Sequence, residues 1–186
     1  MAGEFRFNTG RLALALPATV RRRASLAQDV LARPGAPARW LREAGLVAEP
    51  LTLSPAQERE LLMLRKAVQA IADAVVAGDA LPRRAVGVLN MAAAHPIATP
   101  QLDAKSGRQK QAVADPFEAA IAAIARDAID LVSGPLRERI KACEQDDCRV
   151  LFLDTSRSAR RRWCSMDRCG SRAKGEAFRQ RHKKAG

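Results

Sequence analysis

Leu61, Leu64, Val68, Ile71 and Val75 recur at alternating steps of three and four, laying one apolar stripe along a helix predicted over residues 55–78. Its start is marked locally: Ser54 can cap it, Pro55 suits the first helical position, and Gln57 stands where a capping-box partner belongs. A second stripe, Phe117, Ile121, Ile124, Ala128 and Leu131, predicts a helix over 116–133, opened by Asp115 and Glu118 and stopped by Gly134. Shorter helices are expected over 18–32, over 37–44 with Trp40 and Leu41 as anchors and Gly45 as the end, and over 82–94, closed by Pro96. Between residues 97 and 114 the helical period dissolves into Pro100, Gly107 and scattered charge, a pattern that predicts two short strands turning at Ser106 and Gly107. Residues 135–142 read as a short helix, 150–153 (Val-Leu-Phe-Leu) as a strand, and 170–184 as a basic terminal helix. No internal repeat or low-complexity tract interrupts this layout.

Composition agrees with the pattern. Of 186 residues, 47% are hydrophobic but only 4% aromatic, with no tyrosine, so alanine and leucine dominate and helices packed closely together are favoured over a β-sandwich. The fold class expected is mainly α: an N-terminal helical domain (1–134) carrying a short β-hairpin, then a small C-terminal four-cysteine lobe (135–186).

Charge separates the two parts. The chain carries a net charge of +12; from Arg157 onward eleven lysines and arginines face only Asp167 and Glu176, a net +9 in the last thirty residues. A nearly neutral body thus precedes a concentrated positive field, whose usual partner is a phosphate backbone. The plainer alternative is a solubilising tail. No stretch approaches the length of a membrane span. The apolar run from Leu12 to Leu16 is broken by Pro17 and followed, not preceded, by Arg21, Arg22 and Arg23, so an export signal is not expected and a cytoplasmic chain is.

The cysteines supply the sharpest chemistry. Cys143, Cys148, Cys164 and Cys169 read C-x4-C-x15-C-x4-C. Two turns, each presenting two thiolates, can close a tetrahedron around one structural Zn²⁺ with no position left for water. A reducing compartment favours metal over disulfides here; an iron–sulfur cluster or a redox pair is the alternative. So small a lobe cannot fold on its apolar residues alone, and the metal is expected to supply much of its stability. Around it, Arg160, Arg161 and Arg162 precede a ligand so closely that the metal fixes their backbone. Arg172, Arg179 and Lys183 share one face of the terminal helix, while Lys174 and Arg181 share another. These eight residues are the candidate nucleic-acid contacts. Against that reading, Arg162 or Arg172 could serve as the structural partner of Asp154. Trp163 is expected to pack beside Phe152 behind the metal in preference to stacking on a base. His182 is read as a solvated tail residue, and Asp146 with Asp147 as a solvated turn. Catalytic constellations are absent: His95 and His182 are the only histidines, and no Gly-rich phosphate loop occurs, so no enzymatic activity is expected.

Cys143 to Cys148, then Phe152-Leu153-Asp154-Thr155-Ser156, then Arg161-Arg162-Trp163-Cys164 and Cys169-Gly170-Ser171-Arg172, together resemble the CGNR zinc-finger family of bacterial proteins. The family's Cys-Gly-Asn-Arg reads Cys-Gly-Ser-Arg here; serine can still hydrogen-bond a turn or cap a helix. Phe7-Asn8-Thr9, Trp40 to Leu46, and the Leu64-Arg65 helix resemble the helical ABATE domain that precedes this finger. The resemblance implies a stress-induced transcription regulator whose finger binds DNA. It does not identify what the helical domain senses, and an unknown small-molecule or protein effector is expected there. The alternative is a zinc-stapled protein- or RNA-interaction module. No heptad seam points to an oligomeric state.

Overall fold

The computed structural model describes residues 4–183, with the side chains of residues 110, 111, 177 and 183 outside the description. The two long stripes become its framework. Helix α3 (Pro55–Ala77) opens on a complete capping box: the Gln57 amide donates to Ser54 Oγ at 3.3 Å, and the Ser54 amide donates to Gln57 Oε1 at 2.9 Å. Helix α5 (Pro116–Ser133) opens on Asp115, whose Oδ1 accepts from the amides of Phe117 (2.7 Å) and Glu118 (3.2 Å). Leu61, Leu64, Ile121, Ile124 and Leu131 are almost wholly withdrawn from solvent. Each such side chain contributes about 1.5–3 kcal/mol of burial.

Around these two helices lie α1 (Leu12–Ala15), α2 (Ala36–Glu43) and α4 (Arg83–Ala93). The strands form three separate antiparallel pairs: β1 (Val20–Arg21) with β2 (Gln28–Asp29), β3 (Thr99–Leu102) with β4 (Gln109–Ala112), and β5 (Ile140–Ala142) with β6 (Leu151–Leu153). The chain ends in a π-helical turn (Met166–Gly170) running into α6 (Ser171–Lys183). The β3–β4 turn falls where the sequence placed it. There Asp103 Oδ1 accepts from the Lys105 and Ser106 amides and Gly107 takes φ +64°.

Two expected helices are corrected. Residues 18–32 fold as a 3₁₀ turn (Pro17–Thr19), the β1–β2 pair and a second 3₁₀ turn (Val30–Ala32). The reason is tertiary. Asp29 takes a two-pronged bond from the buried Arg65 of α3 (2.6 and 2.7 Å) while accepting from the Leu31 amide at 3.0 Å, which fixes an extended Asp29 that a helix could not offer. Burial opposes the charge on Asp29, yet Arg65 outweighs it and leaves the carboxyl below its ordinary pKa. Residues 135–142 likewise form a 3₁₀ turn (Arg137–Arg139) and then strand β5, because the chain here pairs with β6.

Strand β6 joins the two parts. Leu151 and Leu153 alternate toward the main core together with Ile140, while Phe152 points the other way, into a cluster with Val150, Ala18 and the four cysteines. On its far side β6 meets the N-terminal segment: the Leu153 amide donates to the Thr9 carbonyl at 2.7 Å. A Cβ on Gly10, at φ +87°, would come within 3.0 Å of Leu153 Cβ, so glycine is required by both space and backbone. No described helix is long and apolar enough to cross a membrane.

Candidate metal centre and the surface around it

The four cysteines reach one point from three elements. Cys143 follows β5, its amide continuing the ladder to the Val150 carbonyl at 2.9 Å. Cys148 closes a turn in which its amide donates to the Gln145 carbonyl at 2.9 Å. The Cys164 amide donates to Cys143 Sγ at 3.4 Å, and Cys169 sits in the π-helical turn, its amide bonded to the Ser165 carbonyl at 3.1 Å. All four are buried, and their sulfurs lie within 4.8 Å of one another. Cys148 to Cys164 and Cys164 to Cys169 are each 3.7 Å apart. A tetrahedron with Zn–S bonds of about 2.3 Å has edges of about 3.8 Å, whereas a disulfide needs about 2.05 Å. The cluster therefore fits a single structural metal ion and not a cross-link.

Without a cation these thiols frustrate one another. Hydrogen bonds from Cys143 and Cys164 hold the Cys148 thiol down to about 2. Those same contacts with Cys143 and Cys148 push Cys164 strongly up, and burial pushes Cys169 up to about 12. Ionisation of Cys164 and Cys169 beside Cys148 is thus opposed. A bound dication removes that opposition, which couples metal binding to proton release and to folding.

Asp154 organises the stretch between the second and third ligands. It is fully buried, and it accepts from Lys141 Nζ (2.8 Å), the Ser156 amide (3.0 Å) and hydroxyl (2.6 Å), and the Arg161 amide (2.8 Å). Burial opposes its charge, but these donors prevail and hold the carboxyl far below the usual range. Its ionic partner is thus Lys141 and neither Arg162 nor Arg172, which correction follows from the β5–β6 register placing Lys141 opposite Phe152.

The eight expected nucleic-acid contacts divide into two sets. Arg161 is half-buried: its Nε donates to the Trp163 carbonyl at 2.8 Å, its Nη2 donates to the Cys164 carbonyl, and its guanidinium lies 4.8 Å from the Phe152 ring. It braces the third ligand. Arg162 is paired with Glu144 (2.5 Å) and stacks 5.2 Å over Trp163, which itself packs against the cysteine cluster as expected. Arg172 is paired with Asp147 (2.5 Å). Arg160, Lys174, Arg179 and Arg181 are exposed and make no hydrogen bond or ion pair among the described residues. Lys183 closes α6, and its side chain lies outside the described residues, as does Lys184. Ser171 donates to the Met166 carbonyl at 3.1 Å and so ties off the π-helical turn.

Sequence reasoning missed three participants. Asp147 is no solvated turn residue, because its second oxygen pairs with Arg22 of the β1–β2 turn at 3.1 Å. Arg22 and Arg23 touch the lobe, Arg23 donating to the Arg149 carbonyl at 3.3 Å. Their only signal was the Arg21-Arg22-Arg23 run. In the body, a mostly apolar cavity of about 860 Å³ opens between the α2–α3 connection and α5, walled by Leu46, Leu51, Ile97, Val113 and Arg126.

A buried four-cysteine cluster beneath a basic helix, sharing strand β6 with a helical body, has the make-up of a zinc finger. In a comparison with known families, residues 10–135 match the ABATE family, described as "Putative stress-induced transcription regulator", and residues 139–182 match the CGNR zinc finger. The chain belongs to the ABATE family and carries a CGNR zinc finger behind that domain. No curated protein matches it.

Proposed function

We propose that this protein is a zinc-dependent transcription regulator that grips duplex DNA through the basic surface of its C-terminal lobe. One observation carries the reading: Arg160, Lys174, Arg179 and Arg181 stand exposed and unpartnered among the described residues, on a scaffold tied by the cysteine cluster and Asp154. A rigid backbone lowers the entropy lost when such side chains close on phosphates. Arg162, held by the exposed Glu144, can exchange that partner for phosphate at small cost, whereas Arg172 shares the half-buried Asp147 with Arg22. The apolar cavity of the body is a place of suitable size for an effector. Catalysis forms no part of this reading.

Salt dependence tests it. Binding of a labelled 20-base-pair duplex to zinc-loaded protein, followed by fluorescence anisotropy, should give a log K against log[salt] slope of about −0.9 per phosphate contact. Replacing Arg160, Lys174, Arg179 and Arg181 together by glutamine should lower the slope by about 3 to 4 while zinc content stays unchanged. A flat slope would favour a zinc-stapled module that meets protein instead of DNA.

A further inference from the structure

An open groove of about 620 Å³ lies where the N-terminal segment and the β1–β2 turn meet the zinc lobe. Five arginines line it: Arg6 and Arg22 from the body, and Arg168, Arg172 and Arg179 from the π-helical turn and α6. Its acidic residues are Asp147 and Asp167. Asp147 is already engaged, one oxygen with Arg22 at 3.1 Å and the other with Arg172 at 2.5 Å. Arg6, Arg168 and Arg179 have no hydrogen-bond or ion-pair partner among the described residues, and the Nε of Arg6 is buried without an acceptor. Immediately behind, the Nε of Arg21 is buried and unpartnered too. Burial lowers the pKa of Arg21, and the positive charges of Arg6 and Arg168 lower it further, so these three guanidiniums crowd one another. Buried donors normally find acceptors, and arginines do not normally converge from two parts of a chain on an empty space. Five arginines against two aspartates leave a surplus of three charges; a zinc tetrathiolate behind Cys148 and Cys169 would remove two, Arg21 restores one, Glu4 and Arg33 beside it cancel, and Glu176 near Arg172 removes one, leaving about +1. The groove therefore stays cationic with the metal in place.

We propose that this groove is a phosphate-binding site built jointly by the N-terminal segment and the zinc lobe, accepting a phosphate ester that is either free in solution or part of a nucleic-acid backbone. Planar guanidinium forks that approach from two sides match the several oxygens of a phosphate better than the two of a carboxylate. The site rests on its own geometry; only its nucleic-acid source depends on the reading given above. Occupancy would join Arg6 and Arg22 to Arg168 and Arg179, so the body and the finger would hold the same anion.

The test uses the full, zinc-loaded chain with inorganic pyrophosphate as probe. Calorimetric titration should show saturable binding that weakens at least tenfold in the Arg6→Gln, Arg168→Gln variant and is unchanged in the charge-matched Arg83→Gln, Arg84→Gln variant on α4. Arg179→Gln, a substitution on the exposed face of α6, should weaken it several-fold and keeps the test decisive if the double variant fails to fold. Displacement of a labelled duplex by pyrophosphate assigns the groove to a backbone phosphate. Pyrophosphate binding with no displacement assigns it to a small phosphorylated molecule. Pyrophosphate binding by a protein that retains no duplex sinks the DNA reading and keeps the groove. Pyrophosphate titrations that are featureless, or identical in wild type and variants, overturn the groove, whatever the duplex does.

Discussion

The helical body and the zinc lobe are stabilised by different means. In the body, long stripes of leucine, isoleucine and alanine bury one face of α3 and α5, and polar pairs such as Arg65 with Asp29 shape what surrounds them. In the lobe the apolar cluster consists of Val150, Phe152, the cysteines and Ala18 of the body, with Trp163 at its margin. Order there comes from four sulfurs around one point and from a single buried carboxylate with four donors. A core made of many small increments tolerates the loss of any one of them. A core made of a few strong, mutually dependent interactions does not.

The sharpest way to break that contrast is Cys164→Ser. The lobe should lose its metal and the 13-residue helix α6, with ellipticity at 222 nm falling by about that share while α3 and α5 persist. Thermal melting of the remaining body should move down as well, because Leu151 and Leu153 belong to its core. A variant that keeps α6 and its melting temperature would erase the distinction between the parts.

Next in size, Asp154→Asn leaves Lys141, the Ser156 amide and hydroxyl and the Arg161 amide facing a neutral group at a fully buried position, and should cost about 3 kcal/mol in urea unfolding at pH 7. The pH dependence has a definite sign. Because the folded carboxyl is held below its unfolded value, its contribution is present above about pH 4 and fades as pH falls toward the folded value. The gap between wild type and variant should therefore stay constant from pH 7 to 5 and close below 4. A gap that closes near neutrality would refute the assignment.

Gly10→Ala tests the seam between the parts. Positive φ and a 3.0 Å approach to Leu153 should together cost about 1–3 kcal/mol, detected as earlier unfolding of both parts. Smallest is Ser54→Ala, which removes half of a capping box and should lower stability by about 1 kcal/mol with no change in zinc content.

What could be read from sequence follows the same contrast. Both long helices were legible to the residue at their starts because Ser54, Gln57 and Asp115 act on amides only two or three positions away. That the four cysteines would gather at one point was legible from their spacing, because two C-x4-C pairs each make a turn. Hidden from sequence were interactions between distant positions: Asp29 with Arg65, which turns an apparent helix into a strand pair, and Lys141 with Asp154, which takes the role expected of an arginine. Arg161 is the clearest case. Its position in a basic run suggests an outward-facing charge, yet its side chain turns inward because the carbonyls of Trp163 and Cys164 and the Phe152 ring all lie within its reach.

The bond between the Thr9 carbonyl and the Leu153 amide sets an order of events during synthesis. Synthesis passes Thr9 about 140 residues before it reaches the strand that completes its seat. The long helices can pair as they emerge, but the Thr9 segment must wait, its glycine corner open, until β6 has been made. Closure of this segment therefore follows synthesis of β6, and a nascent chain stalled before residue 150 should leave residues 4–10 susceptible to protease.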